Sequence, residues 1–355
     1  MTTLSEIFGC RYVAGMTQEA PPPPSRPTLR QVAARCGVSL KTVSRVFNGE
    51  QYVAPETAAR VHAAAAELGF RPNAIARELR AGARSSLVGL IIGDLANPFY
   101  SRIARGAERR LRAAGLRLIT ASSDEDPQLE RALISDLLER RVSAMLVVTC
   151  GSDHRYLEAE RELGTPLAFL DRTPRDIEAD TVVLDNHGGI TDAVRHLLAR
   201  GHRRIGLVGD LSRLPTHRER VAAFEQAVTE AGLEDWRAYV RHDSHDADSA
   251  QAAVHELLGL PVPPTALITT NNRITTGALR ELRGLQRPPA LVGFDDFDLA
   301  DLLGVTVIAH DPERMGELGV ELVVGRLGGE RGPVRTVVMP TRLMERGSGE
   351  RPIGG

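Results

Sequence analysis

From residue 87 to residue 339 the chain repeats short, predominantly apolar segments between helical stretches, and this alternation restricts the fold more than any other feature. The segments are Leu87–Ile92, Leu116–Ala121, Ala144–Val148, Leu167–Leu170 and Val182–Leu184. They continue with Ile205–Val208, Ala266–Thr269, Leu291–Phe294, Val305–Ala309 and Val337–Met339. Strands that are apolar throughout belong to parallel sheets covered by helices on both faces. Segments such as Phe99–Ala114 and Thr191–Arg200 have the helical pattern to supply those covers. Two series of five predict an α/β body of two parallel-sheet (Rossmann-like) subdomains. Its ligand site is expected at the carboxyl ends of the strands, between the two sheets.

The first quarter of the chain reads differently. Residues 1–25 lack a core pattern and end in Pro21-Pro22-Pro23-Pro24, a stiff extended spacer without backbone donors. A disordered N-terminal extension is expected there, with Met16 as an alternative start. From Thr28 the pattern turns to short helices. Leu29, Val32 and Ala33 form one apolar face, and Cys36-Gly37-Val38 make a turn. Ser39 caps a second helix that buries Val43, Val46 and Phe47. Pro55 opens a third, with Val61, Ala65 and Leu68 inward. Between Arg26 and Arg84 there are ten Arg or Lys against four Glu, a surplus of six. The remainder then carries −8 within a chain of net charge −2. A basic head on an acidic body suits a phosphate-binding module joined to a sensor.

The second of these helices has the chemistry of DNA readout. Its polar face carries Ser39, Lys41, Thr42, Ser44 and Arg45. Hydroxyls and a helix N-terminus suit phosphates, while Arg and Lys suit guanine edges in the major groove. Further on, Arg71, Arg77 and Arg80 surround Leu79, as in a hinge that wedges an apolar side chain between bases.

Gly37-Val38-Ser39-Leu40-Lys41-Thr42-Val43-Ser44-Arg45 resembles the signature of the LacI/GalR family of bacterial transcriptional regulators. The resemblance continues through Val53-Ala54-Pro55-Glu56-Thr57, the hinge-like Leu68–Arg80 and the stretch Val88–Phe99, towards Arg346. It implies that Leu40, Lys41 and Arg45 touch bases and that Ser39, Thr42, Ser44 and Asn48 hold the backbone. It also implies that Arg71, Asn73, Ala76 and Leu79 serve a hinge helix on DNA. Cys36 stands where Ala is usual and is expected to be a small buried side chain.

For the body, the resemblance implies a periplasmic-binding-protein-like sensor whose two subdomains are crossed by three strands. The implied boundaries are 26–70 for the helix-turn-helix, 71–85 for the hinge, 86–346 for the sensor and 347–355 for a flexible tail. The first subdomain takes about 86–185 and 311–331, the second about 186–310 and 332–346. The implied effector residues are Asp94, Asn97, Phe99, Asp124, Arg172, Asn186, Arg218, His245, Asn271 and Asp295. Carboxylates and amides for hydroxyls, arginine for oxygens and phenylalanine for a ring face make a sugar or polyol site. Asn272 stands in place of a usual Asp, and His217 in place of a small residue.

These features set the expected function: a sequence-specific transcriptional regulator of repressor type, controlled by a small molecule. Its partners are a palindromic double-stranded operator, an effector and a second copy of the chain, with a tetramer as an alternative. Cys10, Cys36 and Cys150 form no CxxC pair, so neither a zinc site nor a disulfide framework is expected, and a cytoplasmic location is. No apolar run approaches the ~18 residues of a membrane span. A dinucleotide-dependent enzyme would need a Gly-x-Gly-x-x-Gly turn after a strand, which is missing, and no cofactor or catalytic role is expected. A secreted sugar-binding protein would need an export signal and no DNA-binding head. Arg241–Asp248 is rich in His and Asp but lacks a metal-ligand spacing, and is expected to be a polar loop entering a helix.

Overall fold

The computed structural model describes residues 27–48, 50, 52–71 and 85–353. The expected extension over 1–25 and the hinge positions Asn73, Ala76 and Leu79 lie outside these residues. The chain divides at Arg84/Ser85 into two compact units.

The first unit holds α1 (Leu29–Cys36), α2 (Leu40–Phe47) and α3 (Pro55–Glu67). Thr28 and Gln31 close a reciprocal capping box: Thr28 N donates to Gln31 Oε1 at 2.7 Å, and Gln31 N donates to Thr28 Oγ1 at 3.4 Å. Gly37, with φ 68°, ends α1 in the left-handed region where a side chain would be strained. Ser39 Oγ accepts from Thr42 N at 3.0 Å and starts α2. Val32, Val43, Val46, Val61, Ala64 and Ala65 are buried together, so each helix contributes one apolar stripe to a small common core.

The second unit contains two six-stranded sheets. The first has β1 (Leu87–Ile92), β2 (Arg117–Ser122), β3 (Ala144–Val147), β4 (Leu167–Leu170) and β5 (Asp180–Leu184). The second has β6 (Ile205–Val208), β7 (Val240–Arg241), β8 (Ala266–Thr269), β9 (Ala290–Phe294) and β10 (Thr306–Ala309). The two strands that complete them are β11 (Thr336–Met339) and β12 (Arg342–Met344). Spatial orders are β11-β5-β4-β3-β1-β2 and β12-β10-β9-β8-β6-β7. Every pair is parallel except β10 with β12. The helices between them are α4 (Pro98–Ala113), α5 (Pro127–Glu139), the short α6 (Glu158–Glu162), α7 (Asn186–Ala199), α8 (Pro215–Glu230), α9 (Ala247–Leu258), α10 (Asn272–Leu282) and α11 (Pro312–Leu327). Both strand series appear where the apolar segments are, and the central strands β3, β4, β6, β8 and β9 are buried along their whole length.

Two expectations need correction. Val337–Met339 was read with the second series, but β11 pairs with β5, Val337 opposite Val182, and completes the first sheet. The chain re-enters the first half through α11, whose Gly316 packs against the backbone of α4. A Cβ there would overlap the carbonyl oxygen of Ile103, and one at Gly106 would overlap that of Glu313. Arg109 pairs with Glu313 (2.8 Å) and Glu317 beside this contact. With α11 fixed beneath the first sheet, the strand that follows it joins that sheet's edge. An apolar strand reads the same in either sheet, so hydrophobicity alone did not distinguish them.

The expected flexible tail is also packed, as far as the described residues reach. Ser348 is buried and exchanges bonds with Leu291, accepting from its N at 2.9 Å and donating through Oγ to its O at 2.6 Å. Glu350 accepts from Thr306 Oγ1 at 2.7 Å and lies 2.6 Å from His196 Nε2. Arg351 donates to Pro289 O at 3.0 Å. Gly349, where a Cβ would press on Thr306 and Val292, lets the segment lie against β9 and β10, a packing signal that composition presents as looseness. His196, Glu345 and Glu350 cluster closely, and Arg200 donates into the group, to Glu345 at 3.0 Å. The cluster is therefore an ion-pair clasp on this segment.

Candidate functional site

In the first unit α2 presents one face to solvent. Leu40, Lys41, Arg45 and Asn48 are exposed, with Thr42 and Ser44 half-buried at its margin, while Val43 and Val46 anchor the opposite side. Ser39 and Thr42 hydroxyls bond each other at 2.8 Å, which orients both at the helix N-terminus. A groove between the start of α1 and α2 is lined by Thr28, Arg30, Leu40, Lys41 and Ser44. Arg45 is paired with Glu50 at 3.3 Å, both about half exposed, so the guanidinium is held loosely over the end of the helix. Arg71 is exposed at the edge of the described segment. Cys36 is half-buried, its thiol donating to Val32 O at 3.0 Å.

In the second unit the polar residues gather in the loops that leave the carboxyl ends of the strands. After β1, Asp94, Asn97 and Phe99 are buried, and Asn97 caps α4 by accepting from Phe99 N at 2.9 Å. After β2 the inward carboxylate is Glu125, not the expected Asp124. Both have positive φ, 50° and 56°, and this left-handed step turns Asp124 to solvent and Glu125 beneath the loop. Arg172, after β4, grips Glu125 with two bonds of 2.7 and 2.9 Å and donates to Tyr100 Oη at 2.9 Å and Thr149 O at 3.0 Å. Asp171 beside it is buried, and burial pushes its carboxyl up to about 6 against the pull of Arg172 and Arg220.

The second sheet supplies the facing wall. Asn186 is buried and accepts from Arg220 Nε at 2.8 Å while donating to Glu219 at 2.7 Å. Arg220 also donates to Thr270 O. Arg218, one of the expected effector residues, is exposed on the outer side of α8. The helix phase explains the difference. Thr216, Arg220, Ala223 and Phe224 share the buried face at intervals of four, three and one, while Arg218 lies on the far side. That stripe was readable in the sequence. Asn271 caps α10 and donates to Asp210 Oδ2 at 2.7 Å, and His245 lies 2.8 Å from Asp210 Oδ1. The hydrogen bond to Asp210 raises the His245 pKa, and that of Asp210 falls despite burial. Asp295 is buried at the end of β9, 2.8 Å from His310 Nε2. Asp246 caps α9, so the stretch from Arg241 at the end of β7 to Asp248 in the first turn of α9 is a loop leading into a helix.

The expected residues Asp94, Asn97, Phe99, Arg172, Asn186, His245, Asn271 and Asp295 thus meet in one cleft, while Asp124 and Arg218 do not enter it. Sequence reasoning missed Tyr100, Glu125, Asp171, Asp210, Arg220 and His310. Three buried polar atoms in the cleft loops lack a hydrogen-bond partner among the described residues: Arg172 Nε, Asn272 Oδ1 and His310 Nδ1. Unpaired buried groups are costly, and they gather where a bound molecule can satisfy them.

Comparison with known proteins follows the same division. Residues 28–73 match the model of bacterial regulatory proteins of the lacI family, and residues 194–349 match that of a periplasmic binding protein-like domain. The HTH-type transcriptional regulator PtxS of Pseudomonas aeruginosa is 33% identical over 337 residues, covering 92% of this chain and 97% of that protein. The ribose operon repressor of Escherichia coli is 30% identical over 330 residues, covering 90% and 99%. Among solved structures, the lac repressor dimer bound to operator and the anti-inducer ONPF superposes with TM-score 0.76 at 25% identity, covering 92% of this chain and 99% of that one. The transcriptional regulator CelR in complex with cellobiose gives 0.68 at 30% identity, covering 91% and 100%.

Proposed function

The chain belongs to the LacI family of bacterial regulatory proteins and is a DNA-binding transcriptional regulator, and from that premise we propose that it is a repressor whose hold on DNA is set by a sugar or related polyol in the cleft of its second unit. Asn272 Oδ1 and His310 Nδ1, without a hydrogen-bond partner among the described residues, carry this reading, together with Arg172 Nε, which has only an ion-pair contact of 3.5 Å to Asp171. They offer mixed donors and acceptors beside the carboxylates of Asp171 and Asp295, and Phe99 offers an apolar wall. A molecule dense in hydroxyls satisfies such a set, because each hydroxyl both donates and accepts. The ribose, lac and cellobiose regulators among the relatives support the same class. Asp94, Asn97, Phe99, Arg172, Asn186, His245, Asn271 and Asp295 are the proposed effector contacts, with Arg220 in the role first expected of Arg218.

On DNA, Leu40, Lys41 and Arg45 read bases, and Ser39, Thr42, Ser44 and Asn48 hold the backbone. Arg71, Asn73, Ala76 and Leu79 act in the hinge. One recognition helix reads few base pairs, so a homodimer on a two-fold-symmetric operator is part of the proposal. Leu299, Leu302 and Leu303 support it. They project from one turn between β9 and β10 at 56, 80 and 55% exposure, and such clustered apolar surface is a feature of association sites. No helix of the described residues is long and apolar enough to cross a membrane, and a cytoplasmic regulator is proposed.

Thermal shift across a panel of monosaccharides, sugar acids and sugar phosphates tests the effector class. A true effector present at a hundred times its Kd stabilises the protein by about 2.7 kcal/mol. The same compound must then change operator binding in a gel shift. A panel in which no compound does both overturns the reading.

A further inference from the structure

The two residues after β1 that suit a ligand are already occupied from across the cleft. Asp94 Oδ1 accepts from Ala96 N at 2.7 Å, and its Oδ2 is ion-paired with Arg273 in the first turn of α10. Asn97 Oδ1 accepts from Phe99 N at 2.9 Å and from Asn272 Nδ2 at 2.9 Å. Because Phe99 N already donates to Asn97, the oxygen of that amide must be the atom presented here. The group facing it has to be a donor. An ionised aspartate at position 272 would set oxygen against oxygen, whereas asparagine supplies the N–H. Neighbouring Arg273 adds charge: its side chain is 26% exposed and that of Asp94 is 10% exposed, so solvent screens the pair only in part.

We propose that Asn272 and Arg273 form an internal latch, holding the two sides of the cleft together by occupying the acceptors on Asp94 and Asn97 that a ligand hydroxyl would use. Two other contacts cross at the same level. Arg213 donates to the carbonyl of Glu125, and Phe99 rests edge-on against His310 with ring centres 5.4 Å apart. The latch makes self-closure and ligand binding compete at the loop after β1. A ligand that addresses Asp94 or Asn97 displaces the start of α10, and one that does not is held beneath it. The inference rests on contacts across the cleft and not on which molecule fills it.

Hydrogen exchange on the full chain without any ligand tests it. In R273A and N272D, peptides covering 93–99 and 270–276 should exchange several-fold faster than in the wild type. Peptides over β3 and β6 should keep their rates, and R273K should recover most of the protection. Raising salt to about 1 M, where the screening length falls to ~3 Å, should accelerate the same two peptides in the wild type. That arm needs no variant and stands even if a substitution disturbs folding. Wild-type rates in both peptides for R273A and N272D overturn the latch, as does protection in the wild type that ignores salt.

Discussion

The guanidinium carbon of Arg220 lies 3.7 Å from the centre of the Phe294 ring, so an arginine of α8 is stacked on the last residue of β9. Its Nε and Nη1 are spent on Asn186 and the Thr270 carbonyl, which fixes its plane and leaves Nη2 as the atom for the proposed effector contact. Arg220→Ala should keep operator binding and lose the effector response. A charged hydrogen bond is worth roughly 1.5–3 kcal/mol, so the effector concentration for half-response should rise by about ten- to a hundredfold. Arg218→Ala should respond as the wild type does. Equal effects of the two substitutions in a gel-shift titration would return the anchor to an undetermined place.

Arg45→Ala and Lys41→Ala should weaken operator binding more than binding to random DNA. Loss of a bidentate guanine contact by Arg45 should cost about 1–3 kcal/mol. Glu50 competes for the same guanidinium, so Glu50→Ala should tighten binding modestly. Parallel losses on operator and random DNA would make Arg45 and Lys41 phosphate contacts.

Leu79→Ala should reduce both affinity and DNA bending if that leucine wedges into the minor groove. A circular-permutation bending assay reads this directly, and an unchanged bend removes the wedge from the proposal.

Replacing Leu302 and Leu303 by Asp should shift the protein from dimer to monomer in sedimentation velocity at micromolar concentration. Operator affinity should fall with it. A dimer that survives the double substitution places the interface elsewhere.

Burial, together with the neighbouring His242, pushes His217 down to about 4. Its ring Nε2 lies 3.0 Å from His242 Nδ1 and its Nδ1 has no hydrogen-bond partner among the described residues. The folded state thus keeps this imidazole neutral while the unfolded chain protonates near 6.5. Its contribution is full above about pH 6.5 and is lost as pH falls towards 4. Between pH 7 and pH 5 the wild type should lose on the order of 2 kcal/mol more stability than His217→Gln. Urea unfolding at the two pH values measures the difference, and equal slopes would show that His217 titrates normally.

Much of this architecture was legible because parallel strands buried on both faces leave continuous apolar runs. β7 and β12, with two and three residues, are too short to leave one. The loops of the cleft were legible too, since each polar cluster directly follows a strand. Which member of a cluster turns inward was harder. Glu125 instead of Asp124 depends on a left-handed backbone step that side-chain chemistry does not announce. Arg220 instead of Arg218 was available in the helix phase of Thr216, Ala223 and Phe224. His310 was hidden for another reason: its partner Asp295 precedes it by fifteen residues and meets it only because β9 and β10 lie side by side.

The late position of β11 and β12 bears on how the protein is made. The helices of the DNA-reading head end at Glu67, yet each sheet waits for an edge strand that begins at Thr336 or Arg342. From the synthesis of β10 until that of β11 and β12 a growing chain therefore carries two sheets that each lack one edge strand, with β5 and β10 presenting unpaired edges to which a neighbouring chain can add. Nonsense mutations before Thr336 would yield the head joined to a body that lacks both of these edge strands. Missense changes in the cleft would leave both sheets complete and only the response altered.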